Sequence, residues 1–332
     1  MSVRESFMLH MTAPLREDFG IPYHDIGPRD ESPRLALVAG LHGNELNGVF
    51  VLARLANFLA QVAEQERPDA RLLGRVIVIP AVNVLGLNTR SRVWPFDGTD
   101  LNRMFPGYES GETTQRIAAA LLRLTEPARW RIDIHSSNLD FEELPQVRLY
   151  APSDEERTAA GWLGLPAVVE RPLNATFTAT LANAWRARGG RSLVIQAGHA
   201  GGLQPAHCER LFRALVDFLE GSGLLAGVRL AAPEGNVHCF GPRQSFPLIS
   251  EHAGWFVSRL EVGQWIQTGE LVGYVYDGFR GDLRAEVRSP VSGLLSGVRR
   301  QPLLCEGDLV ARVLTREEVG AMADTYLMGH GQ

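Results

Sequence analysis

Short apolar runs alternate with amphipathic helical stretches through the first two thirds of the chain. Continuous apolar runs, which are typical of strands buried on both faces, occur at 34–40, 74–83, 130–136, 146–151 and 191–198. Helical periodicity occurs at 45–65, 112–125, 153–163, 178–188 and 205–220. This order predicts an α/β domain, with a mostly parallel, mixed sheet flanked by helices.

The pattern changes after residue 227, where short β-like runs and frequent glycines replace the helices. We therefore predict a catalytic domain over 1–227 and a smaller all-β domain over 228–332. Segments 255–277 and 287–314 resemble the two half-motifs of a lipoyl-like sandwich or barrel. Such carrier domains present a lysine for modification, and none is present. We expect this domain to be a cover for the cleft or an interface for homo-oligomers.

Composition narrows the range of functions. The 332 residues carry a net charge of −5, which disfavours binding to nucleic acids. All 33 basic residues are arginine, so Schiff-base catalysis, a P-loop and lysine-attached cofactors are excluded. The three cysteines are widely spaced and no apolar stretch has the length of a membrane span. These features predict a soluble cytoplasmic protein with no membrane partner.

Three metal-ligating side chains occur at predicted strand ends. VAGLHGNELNG places His42 and Glu45 three residues apart where a strand gives way to a helix, and DIHSS places His135 at the end of another strand. Open α/β sheets bind ligands at the carboxyl ends of their strands. Two imidazoles and one carboxylate form a catalytic zinc set with a fourth position for water. We predict one Zn²⁺ per chain at these three residues.

The HxxE spacing alone is a weak signal. His42 could instead be a capping or core histidine, and Glu45 an ordinary first-turn carboxylate favoured by the helix dipole. The glycines around LHGNE and the second strand ending in DIH make the joint pattern more specific. Asp133 precedes His135 by two residues and shares its strand face, so it either orients the imidazole or is a solvated strand end.

The segments GLHGNE, NVLGLNTRSRVWPFDGTDLNRMFPG and DIHSSNLDF resemble the succinylglutamate desuccinylase/aspartoacylase family, a branch of the zinc-carboxypeptidase fold. The resemblance extends into HAGWFVSRLEVGQWIQTGELVGYVYD and covers about 35 to 314. It implies hydrolysis of an N-acyl amino acid or a close relative to a carboxylate and a free amine. The expected partner is therefore a small acylated molecule.

The resemblance also implies roles for individual residues. Asn102 and Arg103 in DLNR would bind a substrate carboxylate, for which a forked guanidinium is well suited. Arg92 would polarise the scissile carbonyl, with Arg90 as a competitor for that role because spacing in this loop varies. Arg186 is either a second carboxylate anchor or a solvated helix residue.

The general base departs from the family pattern. The family carries a glutamate on the strand that corresponds to LVIQAGHAGG, and the position matches Gln196. A glutamine cannot accept a proton from water, and a general base typically contributes 10²–10⁴-fold to the rate. Glu142, Glu143 and His199 are the alternative bases nearby in sequence.

We predict a zinc-dependent deacylase in which metal-activated water attacks the carbonyl of a small N-acyl amino acid. One alternative is a catalytically impaired zinc-binding relative with a binding or regulatory role, which Gln196 would explain. The other is a carboxypeptidase, which the predicted cover disfavours because it would exclude long peptides.

Overall fold

The computed structural model describes residues 2–12, 18–28, 31–173, 177–228 and 236–319. Its helices are α1 (Leu46–Ala63), α2 (Val84–Thr89), α3 (Thr113–Thr125), α4 (Asp154–Trp162), α5 (Leu181–Ala187) and α6 (Pro205–Gly221), with a short 3₁₀ turn at Leu101–Arg103. The strands up to α6 are β1 (Ser2–Thr12), β2 (Asp18–Gly27), β3 (Leu35–Ala39), β4 (Arg71–Leu72), β5 (Val76–Ile79), β6 (Trp130–Ser137), β7 (Phe141–Tyr150), β8 (Ala167–Arg171) and β9 (Arg191–His199). The strands after α6 are β10 (Leu225–Ala226), β11 (His238–Phe240), β12 (Ser245–Ile249), β13 (Gly254–Ser258), β14 (Trp265–Ile266), β15 (Leu271–Tyr276), β16 (Leu283–Arg288), β17 (Gly293–Arg299), β18 (Leu303–Leu304) and β19 (Leu309–Leu314).

One large twisted sheet organises the chain, in the order β1-β2-β5-β3-β6-β9-β7-β17-β19-β12. Its centre is parallel, because β3 pairs in parallel with β5 and β6, and β6 pairs in parallel with β9. Most flanking pairs are antiparallel, including β7 beside β9, whereas β8 pairs in parallel with β7 and with β11. The prediction of a mostly parallel, mixed sheet flanked by helices is confirmed.

Helices cover both faces of the sheet. On one face α1, α4 and α6 pack on the larger apolar core, and on the other α3 and α5 pack on a second core. Among the described residues, α1 is the one helix long and apolar enough to cross a membrane. More than half of its residues are buried, against the sheet and α6, so packing in the core explains why this helix is apolar.

The antiparallel hairpin of β1 and β2 is not part of the sequence-based prediction. Seven of the ten residues of β2 are partly buried or exposed, so the segment lacks the continuous apolar run by which the central strands are recognised. The hairpin extends the sheet beyond β5 and takes no part in the metal centre described below.

All the described elements after α6 are strands. A four-stranded sheet, β16-β15-β13-β18, packs against β12, β17 and β19 around a separate apolar core. The main sheet continues into this part of the chain, since β17 pairs with β7 and β11 pairs with β8. The division at residue 227 and a role in homo-oligomers stay predictions.

Candidate metal centre

His42, Glu45 and His135 meet at one buried point at the carboxyl ends of β3 and β6. Glu45 Oε1 lies 2.7 Å from His42 Nδ1, and Glu45 Oε2 lies 3.0 Å from His135 Nδ1. Candidate ligand atoms from the three residues lie within 4.8 Å of one another. The structure therefore brings together the three predicted ligands, with each imidazole turning the same nitrogen toward the shared carboxylate.

A second carboxylate binds the far nitrogen of each histidine. Asp100 Oδ1 lies 2.9 Å from His42 Nε2, and Asp133 Oδ2 lies 2.8 Å from His135 Nε2. An acceptor at Nε2 fixes the proton there and leaves Nδ1 free to coordinate a metal. Asp133 thus has the orienting contact that its position predicts, while the contact of Asp100 was not foreseen.

The electrostatics of the centre call for a cation. Burial opposes protonation of His42, but Glu45 and Asp100 outweigh it and raise its pKa. Burial likewise disfavours ionisation of Glu45, yet His42 and His135 hold its pKa well below the usual range. The carboxylates that raise the pKa of the imidazole also favour positive charge between the ligands, so the donor set fits a divalent ion.

Arg92 reaches the centre from the loop after α2. Its guanidinium lies 3.1 Å from Glu45 Oε1 and 3.0 Å from His42 Nε2, and its side chain is 40% exposed. Exposure leaves the guanidinium free to turn toward a bound molecule. Arg90, the competing residue, ends α2 in a left-handed conformation with an exposed side chain and lies outside the cavity described next.

A cavity of about 840 Å³ opens over the centre. Asn102 and Arg103 line it beside His135, and Asn102 Nδ2 lies 3.4 Å from His135 Nε2. Asn102 is held in place because its Oδ1 accepts a hydrogen bond from Leu181 N at 3.0 Å. The opposite wall includes four residues of the β-rich part: Arg299, Asp308, Leu309 and Arg312.

The catalytic-domain model of the succinylglutamate desuccinylase/aspartoacylase family matches residues 31–220. The chain belongs to this family. N-alpha-acetyl-L-2,4-diaminobutyric acid deacetylase of Halomonas elongata is 28% identical over 291 residues, which span 85% of this chain and 82% of that protein. The fold is also that of product-bound ectoine utilization protein EutE (DoeB) from Ruegeria pomeroyi, with a TM-score of 0.78 and 24% identity, covering 94% of this chain and 95% of that one. A succinylglutamate desuccinylase from Silicibacter sp. TM1040 has a TM-score of 0.77 and 25% identity, with the same coverage.

Membership confirms the predicted family and, with it, an amidohydrolase type of enzyme. Gln196, which the sequence predicts at the position of the family's base, lines the cavity on β9, opposite His135 in the sheet register. Its Oε1 is 3.4 Å from Arg148 Nη1. An amide at this point can accept or donate a hydrogen bond but cannot take up a proton at neutral pH.

The three alternative bases differ in their position relative to the cavity and in their partners. Glu142 and His199 do not line the cavity. Glu142 binds His207 at 2.7 Å and also Arg300. Burial alone would raise the pKa of Glu142, but these two partners lower it to about 2. Glu143 lines the cavity, but its carboxylate accepts hydrogen bonds from Arg148 and Arg312. Arg186, the predicted second anchor, is exposed on α5 and is not part of the cavity wall.

Asn47 supports the site from outside the cavity, a role that the sequence analysis missed. It is fully buried at the start of α1, and its Nδ2 donates to Gln204 Oε1 at 2.6 Å and to the Ala197 carbonyl at 3.3 Å. Its Oδ1 accepts from Gln204 N at 2.9 Å. Asn47 thus fixes the turn that follows Gln196. Its place in the GNELNG segment is the one signal that could have indicated it.

Proposed function

We propose that the chain is a zinc-dependent deacylase that hydrolyses the amide bond of a small N-acyl amino acid. The proposal rests on one observation: in the buried centre, the Nδ1 atoms of the two imidazoles each lie against one carboxylate oxygen of Glu45. Two histidines and a carboxylate, with a further position open, are a donor set of catalytic zinc sites. One zinc ion per chain, held by His42, Glu45 and His135, would supply Lewis acidity and lower the pKa of water.

The surrounding residues would orient the substrate. Arg103, with exposed donors beside the cavity, would bind the substrate carboxylate together with Asn102, and a guanidinium can do so through two parallel hydrogen bonds. Arg92 would stabilise negative charge that develops on the acyl oxygen, since its side chain already lies against the ligands. These contacts would align the scissile bond over the buried ligands.

A small substrate is favoured over a peptide. The β-rich part of the chain supplies one wall of the cavity and so restricts the space beyond the metal ligands. The relatives named above act on N-acetyl-diaminobutyrate and succinylglutamate, so amides of both kinds are the first candidates. The cysteines at 208, 239 and 305 are free, which suits the reducing cytoplasm that we propose as the location.

A metal-binding protein without turnover is the second candidate function. Gln196 would stand where the family has a base, and Glu143, which pairs with Gly198 two residues along β9, is bound to Arg148 and Arg312. The proton acceptor of the reaction is therefore unassigned among these groups. A regulatory or scaffolding relative would need the metal centre but not the base.

Hydrolysis and metal content test the proposal together. Purified protein should carry about one zinc per chain by elemental analysis, His42→Ala should lose it, and the wild type should release free amine from at least one N-acetyl or N-succinyl amino acid. Metal binding without release of amine from any member of the panel would favour the second candidate. Absence of stoichiometric metal after reconstitution would contradict both.

Gln196→Glu distinguishes a hydrolase lacking its base from one that uses another. A gain of about 10²–10⁴-fold in kcat is expected if the wild type lacks only this group. Gln196→Ala is the matched control, since it removes the amide without adding a carboxylate. An unchanged rate in Gln196→Glu, with ready turnover by the wild type, would place the base elsewhere.

A further inference from the structure

The four-stranded sheet β16-β15-β13-β18 turns one face to the apolar core of the β-rich part and the other to solvent. Phe256 of β13 and Val275 of β15 are buried in that core. Side chains alternate along a strand, so Trp255 and Val257, on either side of Phe256, lie on the outer face. They are 42% and 49% exposed. The solvent face of an antiparallel sheet is ordinarily polar, so these large apolar side chains need an explanation.

One apolar strip crosses all four strands of this outer face. The strand register places Leu303 of β18 and Tyr276 of β15 on the two sides of Trp255. Leu283 of β16 lies opposite Tyr276. The two leucines are 55% and 51% exposed, and Tyr276 is partly buried. Side chains directly opposite each other on one face are neighbours, so the four residues form a continuous surface of the kind that is typical of interaction sites.

A protruding aromatic side chain adjoins the apolar strip. Phe279, in the turn between β15 and β16, is 99% exposed. The turn is held because the Asp277 carboxylate accepts hydrogen bonds from the backbone N–H groups of Phe279 at 2.9 Å and Arg280 at 2.8 Å. Trp255 Nε1 donates to the Gly278 carbonyl at 3.2 Å, which ties the turn to the strip. A rigid aromatic side chain on an ordered turn loses little conformational entropy when a partner covers it.

The exposed area of this face suits an interface to which both partners contribute the same patch. A fully exposed aromatic side chain alone accounts for about 150–250 Å², so Phe279 and the four exposed side chains beside it (Trp255, Val257, Leu283 and Leu303) present roughly 600 Å². The same patch on two copies would remove roughly 1,200 Å² from water, which is the lower limit for a stable, specific interface.

The charges around the apolar strip favour a second copy over a lipid surface. Exposed residues of both signs are present, namely Arg280 and Arg284 beside Asp282 and Glu286. Anionic lipids would repel the two carboxylates, and the net charge of −5 adds to that repulsion. In a two-fold interface each residue meets its counterpart's neighbours reciprocally, so a border of mixed sign can place arginines of one copy against acids of the other.

We propose that the chain forms a two-fold dimer through the outer faces of two four-stranded sheets, with Phe279 of each copy packed on the apolar strip of the other. The exposed residues of this face do not line the cavity over the metal centre, so the two sites do not overlap. The dimer therefore goes beyond the deacylase assignment and does not depend on it.

Sedimentation equilibrium of the full chain over micromolar concentrations tests the dimer. The wild type should associate to a dimer. Phe279→Asp should weaken the association at least about thirtyfold, as expected for one anchor residue of an interface. Because the Phe279 side chain is fully exposed, its replacement leaves the packing of the single chain intact. A wild type that stays monomeric over the whole concentration range would overturn the proposal.

Further variants locate the interface on the molecule. Leu303→Arg places a charge at the other end of the apolar strip and should also weaken the dimer, whereas Phe279→Tyr keeps the ring and should retain it. Phe96→Asp is the matched control, because Phe96 is 76% exposed on a loop outside this face, and it should associate like the wild type. A dimer that persists unchanged in both Phe279→Asp and Leu303→Arg would use another surface and would overturn the proposal.

Cosedimentation with vesicles of phosphatidylserine and phosphatidylcholine distinguishes a second copy from a lipid surface. The wild type should stay in the supernatant. Binding of a monomeric wild type to the vesicles, lost in Phe279→Asp, would overturn the dimer and assign this face to a membrane.

Discussion

Each histidine of the metal centre is held between two carboxylates. Glu45 lies against both Nδ1 atoms, while Asp100 and Asp133 bind the two Nε2 atoms. Partners of this kind set the tautomer and the orientation of a metal-binding imidazole. At the scale of single residues, the proposed affinity for metal would therefore depend on two carboxylates that are not ligands themselves.

Asp100→Asn tests this dependence on His42. Asparagine keeps the shape of the side chain but removes its charge, so we expect a ten- to hundredfold loss of zinc affinity. Competition with a chelator of known affinity measures it. Asp97→Asn is a matched control three residues away, because the side chain of Asp97 accepts a hydrogen bond from Thr99 N at the loop surface and contacts none of the proposed ligands. Equal affinities for the two variants would contradict an orienting role for Asp100.

The packing of one short helix positions the loop that carries the first two ligands. A Cβ atom on Gly43 would lie 2.1 Å from the backbone carbon of Gly86 and 2.4 Å from Leu87 N, both in α2. Gly43 N also donates to the carbonyl of Arg92 at 3.3 Å. At the scale of elements, the close packing of α2 on the ligand loop therefore sets the position of Arg92 relative to His42 and Glu45.

Gly43→Ala should therefore disturb both stability and the metal centre. Overpacking against backbone typically costs about 1–3 kcal/mol in the free energy of unfolding, and we expect a loss of that size with weaker metal binding. Chemical denaturation and elemental analysis measure the two effects. Gly161→Ala in α4 is the control: nothing lies near its added methyl group, so stability should rise by about 0.5–1 kcal/mol. Unaltered stability in Gly43→Ala would refute the packing argument.

Most of the central fold could be predicted from the sequence, and the reason is local periodicity. Apolar runs identify β3, β5, β6 and β9, and the motifs at their ends indicate the three ligands. Contacts between distant segments could not be predicted in this way. Arg312 lies 169 residues from Glu143, and Asp100 lies 58 residues from His42. Only the register of the folded sheet and the course of its loops bring such pairs together.

Glu142 connects three parts of the whole molecule. The carboxylate on β7 binds His207 of α6 at 2.7 Å and Arg300, which follows β17. Burial favours its neutral form, but these two partners lower its pKa from 4.5 to about 2. A lowered folded-state pKa stabilises the protein above the unfolded value of about 4.5, and this contribution is lost as the pH falls toward 2.

Glu142→Gln should flatten the acid limb of the stability curve. The lowered pKa of Glu142 corresponds to a contribution of at most about 3 kcal/mol to the free energy of unfolding at neutral pH. The variant lacks this contribution, so its free energy of unfolding should change less between pH 4.5 and 2 than that of the wild type. Urea denaturation across that range measures it. Glu109→Gln, which breaks an exposed pair with Arg123, should leave the curve unchanged. Parallel curves for wild type and Glu142→Gln would contradict the assignment.

The pairing of β7 with β17 has a consequence for how the enzyme exchanges molecules with solvent. Hydrogen bonds join Phe141, Glu142 and Glu143 to the strand that begins the far wall of the cavity. The sheet is thus continuous from β7 to β17, and a hinge motion that separated the two parts of the chain would have to break these hydrogen bonds. Entry and exit must therefore rely on movements of side chains and loops at the rim. Removal of the C-terminal strands would expose Phe141–Glu143 of β7 and the edge of β8 that pairs with β11, and exposed strand edges are prone to self-association.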